Sequence, residues 1–192
     1  MTDDLMATQY FIRRKVLTIA GAKFHVYDQQ ERLLAFVKQA AFKLKEDIRI
    51  YSDESMSREL LIIQARQIVD FSAAYDVVDS TERKKLGALR RKGMSSILRD
   101  SWEFLDENDR PIATLQEDSM ALALVRRFLT NLIPQGYHAD QAGRPLVQYK
   151  QRFNPFVFKL DVTLDPAGQG VLDPRLALAA GILLAAIEGK QR

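Results

Sequence analysis

Six cations crowded between Glu82 and Lys92 are the strongest chemical signal in the sequence. Arg83, Lys84, Lys85, Arg90, Arg91 and Lys92 stand there against one glutamate, a local net of +5 that exceeds the +3 of the whole chain. Guanidinium and ammonium groups at this density suit phosphate oxygens or the anionic headgroups of a membrane surface, because their fields add over a few ångströms. The same run also suits a solvated surface that protects a sheet edge. Arg13-Arg14-Lys15 and Arg126-Arg127 form two smaller basic groups. Groups able to do covalent or acid-base chemistry are sparse. The histidines, His25 and His138, fall on different expected elements, and His25 lies between Phe24 and Val26 on the polar parity of its strand, which places it at the surface. The sequence has no Gly-x-Ser-x-Gly turn, His-Glu-x-x-His helix, phosphate loop or dinucleotide fingerprint. Asp161, Asp165 and Asp173 are too dispersed, with Pro166, Gly168 and Gly170 among them, for the compact loop that calcium requires, so strand-end and helix-cap roles are expected. The expectation is a non-enzymatic protein with no catalytic residue, metal or cofactor.

The elements that position these groups must fit into 192 residues, enough for one domain with a sizeable core. With 47% hydrophobic and 28% charged residues, the composition is that of a globular chain. The absence of cysteine excludes disulfides, thiolate metal sites and cysteine nucleophiles and fits a cytoplasmic setting. The start, Met1-Thr2-Asp3-Asp4-Leu5-Met6, is acidic where an export signal needs basic residues. Leu176 to Ile187, the only long uncharged stretch, is shorter than the roughly 20 residues that a membrane span needs. An excess of three charges is also small for a dedicated nucleic-acid binder, so no nucleic acid is expected as partner.

A nonamer repeats through the chain: Phe24 to Arg32, Tyr75 to Arg83 and Trp102 to Arg110 share the pattern aromatic-x-apolar-apolar-Asp-x-x-acid-Arg. Asp140-Gln141-Ala142-Gly143-Arg144 keeps the turn only, and Ile48 to Asp53 reads as a degenerate strand half. Each unit is expected to be a β-hairpin in which the aspartate bonds the backbone of the turn. Counted from each arginine, odd offsets are apolar (Leu33, Ala35, Val37; Leu86, Ala88; Ala113, Leu115; Val147, Tyr149), and this parity is the expected buried face. In that frame Arg83, Lys85 and Arg91 point outward. The turn spacings of 51, 27 and 34 residues are too irregular for a solenoid of fixed period, which leaves a closed or nearly closed antiparallel sheet.

Two helices are expected. One spans 119–131, capped by Asp118 or Ser119, with Met120, Leu124, Val125 and Phe128 on one stripe and Pro134 beyond. The other spans 174–188, with Asp173 as N-cap and Pro174 at the first helical position. Its middle is apolar all round, so it must be enclosed on every side. Half of Leu176 to Ile187 is Ala or Gly, which makes a slim rod, and twelve residues at about 1.5 Å rise match the length of a five- or six-residue strand. Such a rod suits the lumen of a barrel.

The Asp-led hairpins, the opening Tyr10-Phe11-Ile12-Arg13-Arg14-Lys15 and the hydrophobic C-terminal helix together resemble the LURP-one-related family, over about residues 9 to 189. That family shares a superfamily with phospholipid scramblases and the Tubby C-terminal domain. The resemblance implies a mainly β fold: a closed antiparallel barrel of about twelve strands around a central, buried C-terminal helix. The expected organisation is a flexible tail over 1–8 and one barrel domain over 9–189. The chain lacks the proline-rich arm and cysteine cluster of scramblases, and no phosphoinositide motif of the Tubby branch matches it residue by residue.

The functional expectation is a soluble barrel binding an anionic partner, a lipid headgroup or phosphorylated ligand, through Arg83, Lys84, Lys85, Arg90, Arg91 and Lys92. It would be cytoplasmic, with peripheral membrane contact. Two other readings are scramblase-like lipid movement, with the last helix entering the bilayer, and a protein-interaction module without a ligand. Ion pairing of the basic hairpin with neighbouring acids would favour the module.

Overall fold

Each Asp-led unit folds as an antiparallel hairpin because its aspartate satisfies the backbone N–H groups of the turn. Asp28 accepts from the amides of Gln30 and Arg32, Asp79 from Thr81 and Glu82, and Asp106 from Asn108 and Arg110. A computed structural model describes residues 5–18, 21–39, 47–66, 73–92, 101–118, 135–154 and 157–188. Twelve strands are present: β1 (Gln9–Thr18), β2 (Gly21–Tyr27), β3 (Leu33–Gln39), β4 (Ile48–Tyr51), β5 (Glu59–Ala65), β6 (Ala74–Asp79), β7 (Lys84–Arg91), β8 (Ser101–Leu105), β9 (Pro111–Glu117), β10 (Gly136–Gln141), β11 (Arg144–Arg152) and β12 (Phe158–Leu164). Every strand pairs antiparallel with its chain neighbours, and β1 pairs with β12, so the barrel is closed. Closure leaves no free sheet edge.

The hairpins share a second device, a β-bulge just after the turn. Leu34, Leu60, Leu86, Ile112 and Leu146 are each skipped in the ladder, so that Val26 pairs with Ala35 but Tyr27 with Leu33, and Val77 with Gly87 but Val78 with Lys85. All five pack against the core. A bulge bends the strand and increases its local twist, which is what a sheet needs to curl into a barrel. The first four lie 26 residues apart, so the repeat is more regular than the turn arginines suggested. The segment Ile48 to Asp53 and strand β5 after it form a full hairpin, with Asp53 accepting from the Ser55 amide and Met56 at positive φ.

These bulges correct the frame of the third hairpin. The left-handed turn residue there is Arg83 (φ 53°), equivalent to Glu31 (59°) and Asp109 (64°), and the position matching Arg32 and Arg110 is Lys84. Its parity is therefore shifted by one after the turn. Gly87 and Leu89 face the lumen, whereas Ala88 is buried as expected but pairs with Asp76 on the outer parity.

The helix α1 (Pro174–Glu188) runs through the lumen. Asp173 caps it by accepting from the Arg175 amide, and every residue from Leu176 to Ala186 is buried. It touches both sides of the barrel. A Cβ added to Gly181 would lie 2.8 Å from Ile12 Cδ1 and 2.9 Å from Val162 Cγ2, on β1 and β12. On the opposite wall, a Cβ at Gly87 of β7 would meet Leu176 Cδ2 at 2.8 Å. Burial pushes the Tyr149 hydroxyl far above the ordinary phenol value, so it stays protonated and donates to the Ala177 carbonyl at 2.9 Å. At the far end Arg14, which faces inward, brings Nη1 to 3.5 Å from the Ala185 carbonyl, where a cation suits the helix dipole.

The tail over 1–8 is not free throughout: Leu5 is fully buried and its carbonyl accepts from the Tyr10 hydroxyl at 2.6 Å, so its apolar side chain joins the core. His25 is on the outer parity but only 2% exposed, because Tyr27 and Phe36 pack on its ring and Glu54, from the β4–β5 turn, takes Nε2 at 2.8 Å. The helix expected over 119–131, with Arg126 and Arg127, lies outside the described residues.

Candidate functional site

The β6–β7 hairpin carries the six sequence-selected cations on a face that the fold fills with carboxylates. Lys85 Nζ lies 2.7 Å from Asp109 and 3.1 Å from Asp76. Arg90 and its cross-strand partner Glu103 are 2.6 Å apart, and Lys92 reaches the same carboxylate at 3.2 Å. Lys84 meets Glu107 at 3.0 Å. Arg66, at the end of β5, donates to both Asp76 and Asp109. Arg91, expected to point outward, has the lumen parity because the bulge at Leu86 shifts the frame; it stands opposite Trp102 with its guanidinium 6.0 Å from the indole centroid. Only Arg83, at the tip, is exposed with no carboxylate partner among the described residues. The structure therefore brings the six together, but as an interleaved ladder of both signs.

The ladder has an acid dependence. Burial works to raise the Asp76 and Glu103 carboxyls, but hydrogen bonds from Arg66 and Lys85 in one case, and Arg90 and Lys92 in the other, outweigh it and hold both below their ordinary values. A depressed carboxyl stabilises fully above its unfolded value, about 4, and loses that contribution as pH falls through the folded value. The difference in unfolding midpoint between the native protein and an Asp76→Asn/Glu103→Gln variant should thus be constant from pH 7 to about 5 and shrink below about 4. A difference already shrinking between pH 7 and 6 would rule this out.

Strand pairing builds a more strongly cationic surface on the other side of the barrel, which a linear reading missed. Arg152, Lys159 and Arg13 stand abreast on β11, β12 and β1, and Lys23 faces Lys38 across β2 and β3. Lys150 lies one outward step from Arg152, opposite Asp161. Arg152 pairs with Asp161 at 2.7 Å and covers the Phe11 ring at 4.9 Å. Among the described residues, Arg13, Lys23, Lys38, Lys150 and Lys159 have no ion-pair partner. Six cations thus stand on this face, with Asp161 on Arg152 and Glu54 on His25, the residue opposite Arg13, as its carboxylates. Like charges directly opposite on neighbouring strands are destabilising. Of the early basic group Arg13-Arg14-Lys15, only Arg13 is shown on this face. No signal in a single sequence links positions 13, 23, 38, 150, 152 and 159 except the outward parity of strands whose pairing is already known.

Other polar clusters have structural roles. Asp161 pairs with Arg152, Asp165 caps a 3-10 turn at Pro166–Gly168, and Asp173 caps α1. Among the described residues no group of three metal-ligating side chains could hold an ion. His138 Nδ1 contacts Asp118 at 2.6 Å on an exposed surface. Two shallow clefts, of about 710 and 390 Å³, lie near the β2–β3 turn. The first is lined by Met6, Asp28, Arg32, Leu33 and Arg58. The second is lined by Gln9, Phe11, Gln148, Lys150 and Arg152. No helix among the described residues is long and apolar enough to cross a membrane, which says nothing of crossing by strands.

A closed antiparallel barrel of twelve strands threaded by α1 is consistent with the Tubby-like fold superfamily. The crystal structure of a protein from Arabidopsis thaliana has a similar fold, with a TM-score of 0.51 and 14% identity over 100% of this chain and 98% of that one. The chain belongs to the LURP-one-related family, whose model matches residues 33–184. That family is not one of known enzymes. No curated protein matches the sequence.

Proposed function

We propose that this barrel is a non-enzymatic, cytoplasmic module that binds an anionic partner on the outer face of β11–β12–β1–β2–β3. The observation that carries the reading is the row Arg152–Lys159–Arg13, three cations abreast with one carboxylate between them. Its like-charge repulsion opposes folding and is relieved when an anion binds. The β6–β7 hairpin supports the reading less, since acids already occupy most of its cations. The mixed ladder of the hairpin favours a second reading, a protein-interaction surface of complementary charge pattern. Movement of lipid by α1 receives no support from its placement, because Leu176 to Ala186 present no free apolar face.

Retention on immobilised heparin, a soluble-polyanion probe, tests the proposal. The Arg13→Glu/Lys159→Glu variant should elute at markedly lower salt than the native protein. Its unfolding midpoint should stay close to the native one, because position 159 then attracts Arg152 while like charges still face each other between positions 13 and 159. A Lys84→Glu/Arg90→Glu variant should elute close to the native position. If that second variant alone loses retention, the site is the hairpin and the proposed face is wrong.

A further inference from the structure

We infer that the partner is an extended acidic polypeptide segment, which seats its main chain against Gln9 in the groove beside the β2–β3 turn and runs from there onto the cationic face. The inference rests on the anionic-partner reading and names its occupant. The groove exists because β1 is paired unequally on its two sides. Its pairing with β12 starts at Gln9, and one residue earlier the Leu164 amide donates to the Thr8 carbonyl at 2.8 Å, whereas its pairing with β2 starts only at Phe11. Bonding directions alternate along an antiparallel ladder, so Thr8 and Tyr10 bond toward β12 and Gln9 turns its N–H and C=O toward β2. There the chain has left the ladder for the turn, and among the described residues neither group has a partner. Two clefts adjoin at this splay, since Gln9, Asp28 and Gln29 line both.

An unpaired main-chain donor and acceptor at a strand margin are complemented by another extended strand. The lining selects the side chains of that strand. The larger cleft, about 710 Å³, offers Met6 and Leu33, two of the large apolar side chains that the fold leaves exposed. The smaller, about 390 Å³, offers Lys150, which has no ion-pair partner among the described residues, and Arg152 over the Phe11 ring. Of the acids in the lining, Asp28 is held by Arg32 and Asp161 by Arg152, and Glu31 stands at the turn tip. Beyond Arg152 the cationic row continues through Lys159 to Arg13. A segment that places apolar residues on Met6 and Leu33 and carboxylates on Lys150 and Arg152 matches this order of contacts. Nucleic-acid bases would find no open aromatic platform, because the Arg152 guanidinium covers Phe11.

Fluorescence anisotropy of a fluorescein-labelled peptide, Leu-Thr-Val-Thr-Glu-Glu-Glu-Glu, titrated with the full chain at low salt tests this. A copy with glutamine in place of every glutamate should bind markedly less. Lys150→Glu should weaken binding of the acidic peptide at least about fivefold. Gln9→Pro removes the donor from the groove without touching a bond to β12. It should weaken binding about three- to tenfold, the effect of losing one hydrogen bond, while heparin retention and the unfolding midpoint stay unchanged. Of two copies of the peptide N-methylated at alternate positions, one should lose affinity by a similar factor, a test that leaves the protein unaltered. Full affinity of both methylated copies would overturn main-chain pairing, whatever the stability of the Gln9→Pro variant. Binding that ignores both Gln9→Pro and Lys150→Glu would place the peptide elsewhere and overturn the groove. Heparin retention with no peptide binding would reject a polypeptide and leave another polyanion, nucleic acid included, as the partner. Failure on both probes would reject the anionic-partner reading itself.

Discussion

Deleting every residue after Asp173 should abolish the soluble fold rather than weaken it. The lumen is lined by side chains such as Ile12, Phe24, Val37, Leu89, Phe104, Tyr149 and Val162, all buried in one core with the helix. Without α1 they would surround a void far larger than a side chain, in a sheet whose strands are all hydrogen-bonded and cannot collapse inward without breaking the ladder. A graded version is Leu183→Ala, which should cost about 2–5 kcal/mol because the site has no water to admit and little freedom to close. That is a large part of the stability of a typical domain. Thermal unfolding of the point variant, and size-exclusion chromatography of the truncated chain, provide the readouts. A truncated chain that stayed monomeric and melted at the full-length midpoint would make the helix an appendage.

The second large effect is expected at Asp79, whose side chain is fully buried. Its Oδ1 accepts from the amides of Thr81 and Glu82, and its Oδ2 takes Arg175 Nη1 at 2.6 Å. Arg175 is only 14% exposed and also donates to Asp173, whose hydrogen bonds hold the guanidinium charged. One carboxylate therefore closes the β6–β7 turn and fastens the first turn of the helix to the barrel wall. Asp79→Ala leaves the guanidinium short of a buried partner and two turn amides unsatisfied, an expected loss of about 3–5 kcal/mol. Asp106→Ala removes the equivalent turn bonds, where no helix is attached, and should cost about 1–2 kcal/mol. Denaturant midpoints of the two variants test this. Equal losses would show that the link to Arg175 contributes nothing.

Parts of this architecture were readable because the relevant physics is local. The all-apolar Leu176 to Ala186 and the turn aspartates each declare their environment within a few residues. Parity after the turn of the third hairpin was not readable, because Glu82-Arg83 imitates the acid-Arg ending of the other units. Only the skipped Leu86 in the ladder reveals that Lys84 holds the equivalent position. His25 was misplaced for a related reason: a polar parity says which way a side chain points but not that Phe36 and Glu54 will cover it. The site followed the same division. A contiguous run of cations is conspicuous in a sequence, yet the fold threaded acids from β6 and from the β8 hairpin into it. The cations left without partners came from five different strands.

Closure of β1 against β12, with the helix that fills the lumen coming later still in the chain, bears on how the protein is made. A ribosome releases β1 before β12, and α1 after both, at about 5–20 residues per second. Until the final segment emerges, the nascent chain holds an open curled sheet with one long unpaired margin at β1, another at its growing end, and a bare apolar hollow. Every hairpin can form as it appears, since each pairs with its immediate neighbour. The step that makes the barrel a barrel must wait for β12 and α1. Slow codons between β11 and α1 would thus prolong the most adhesive stage of synthesis, whereas slow codons within β1 and β2 would not.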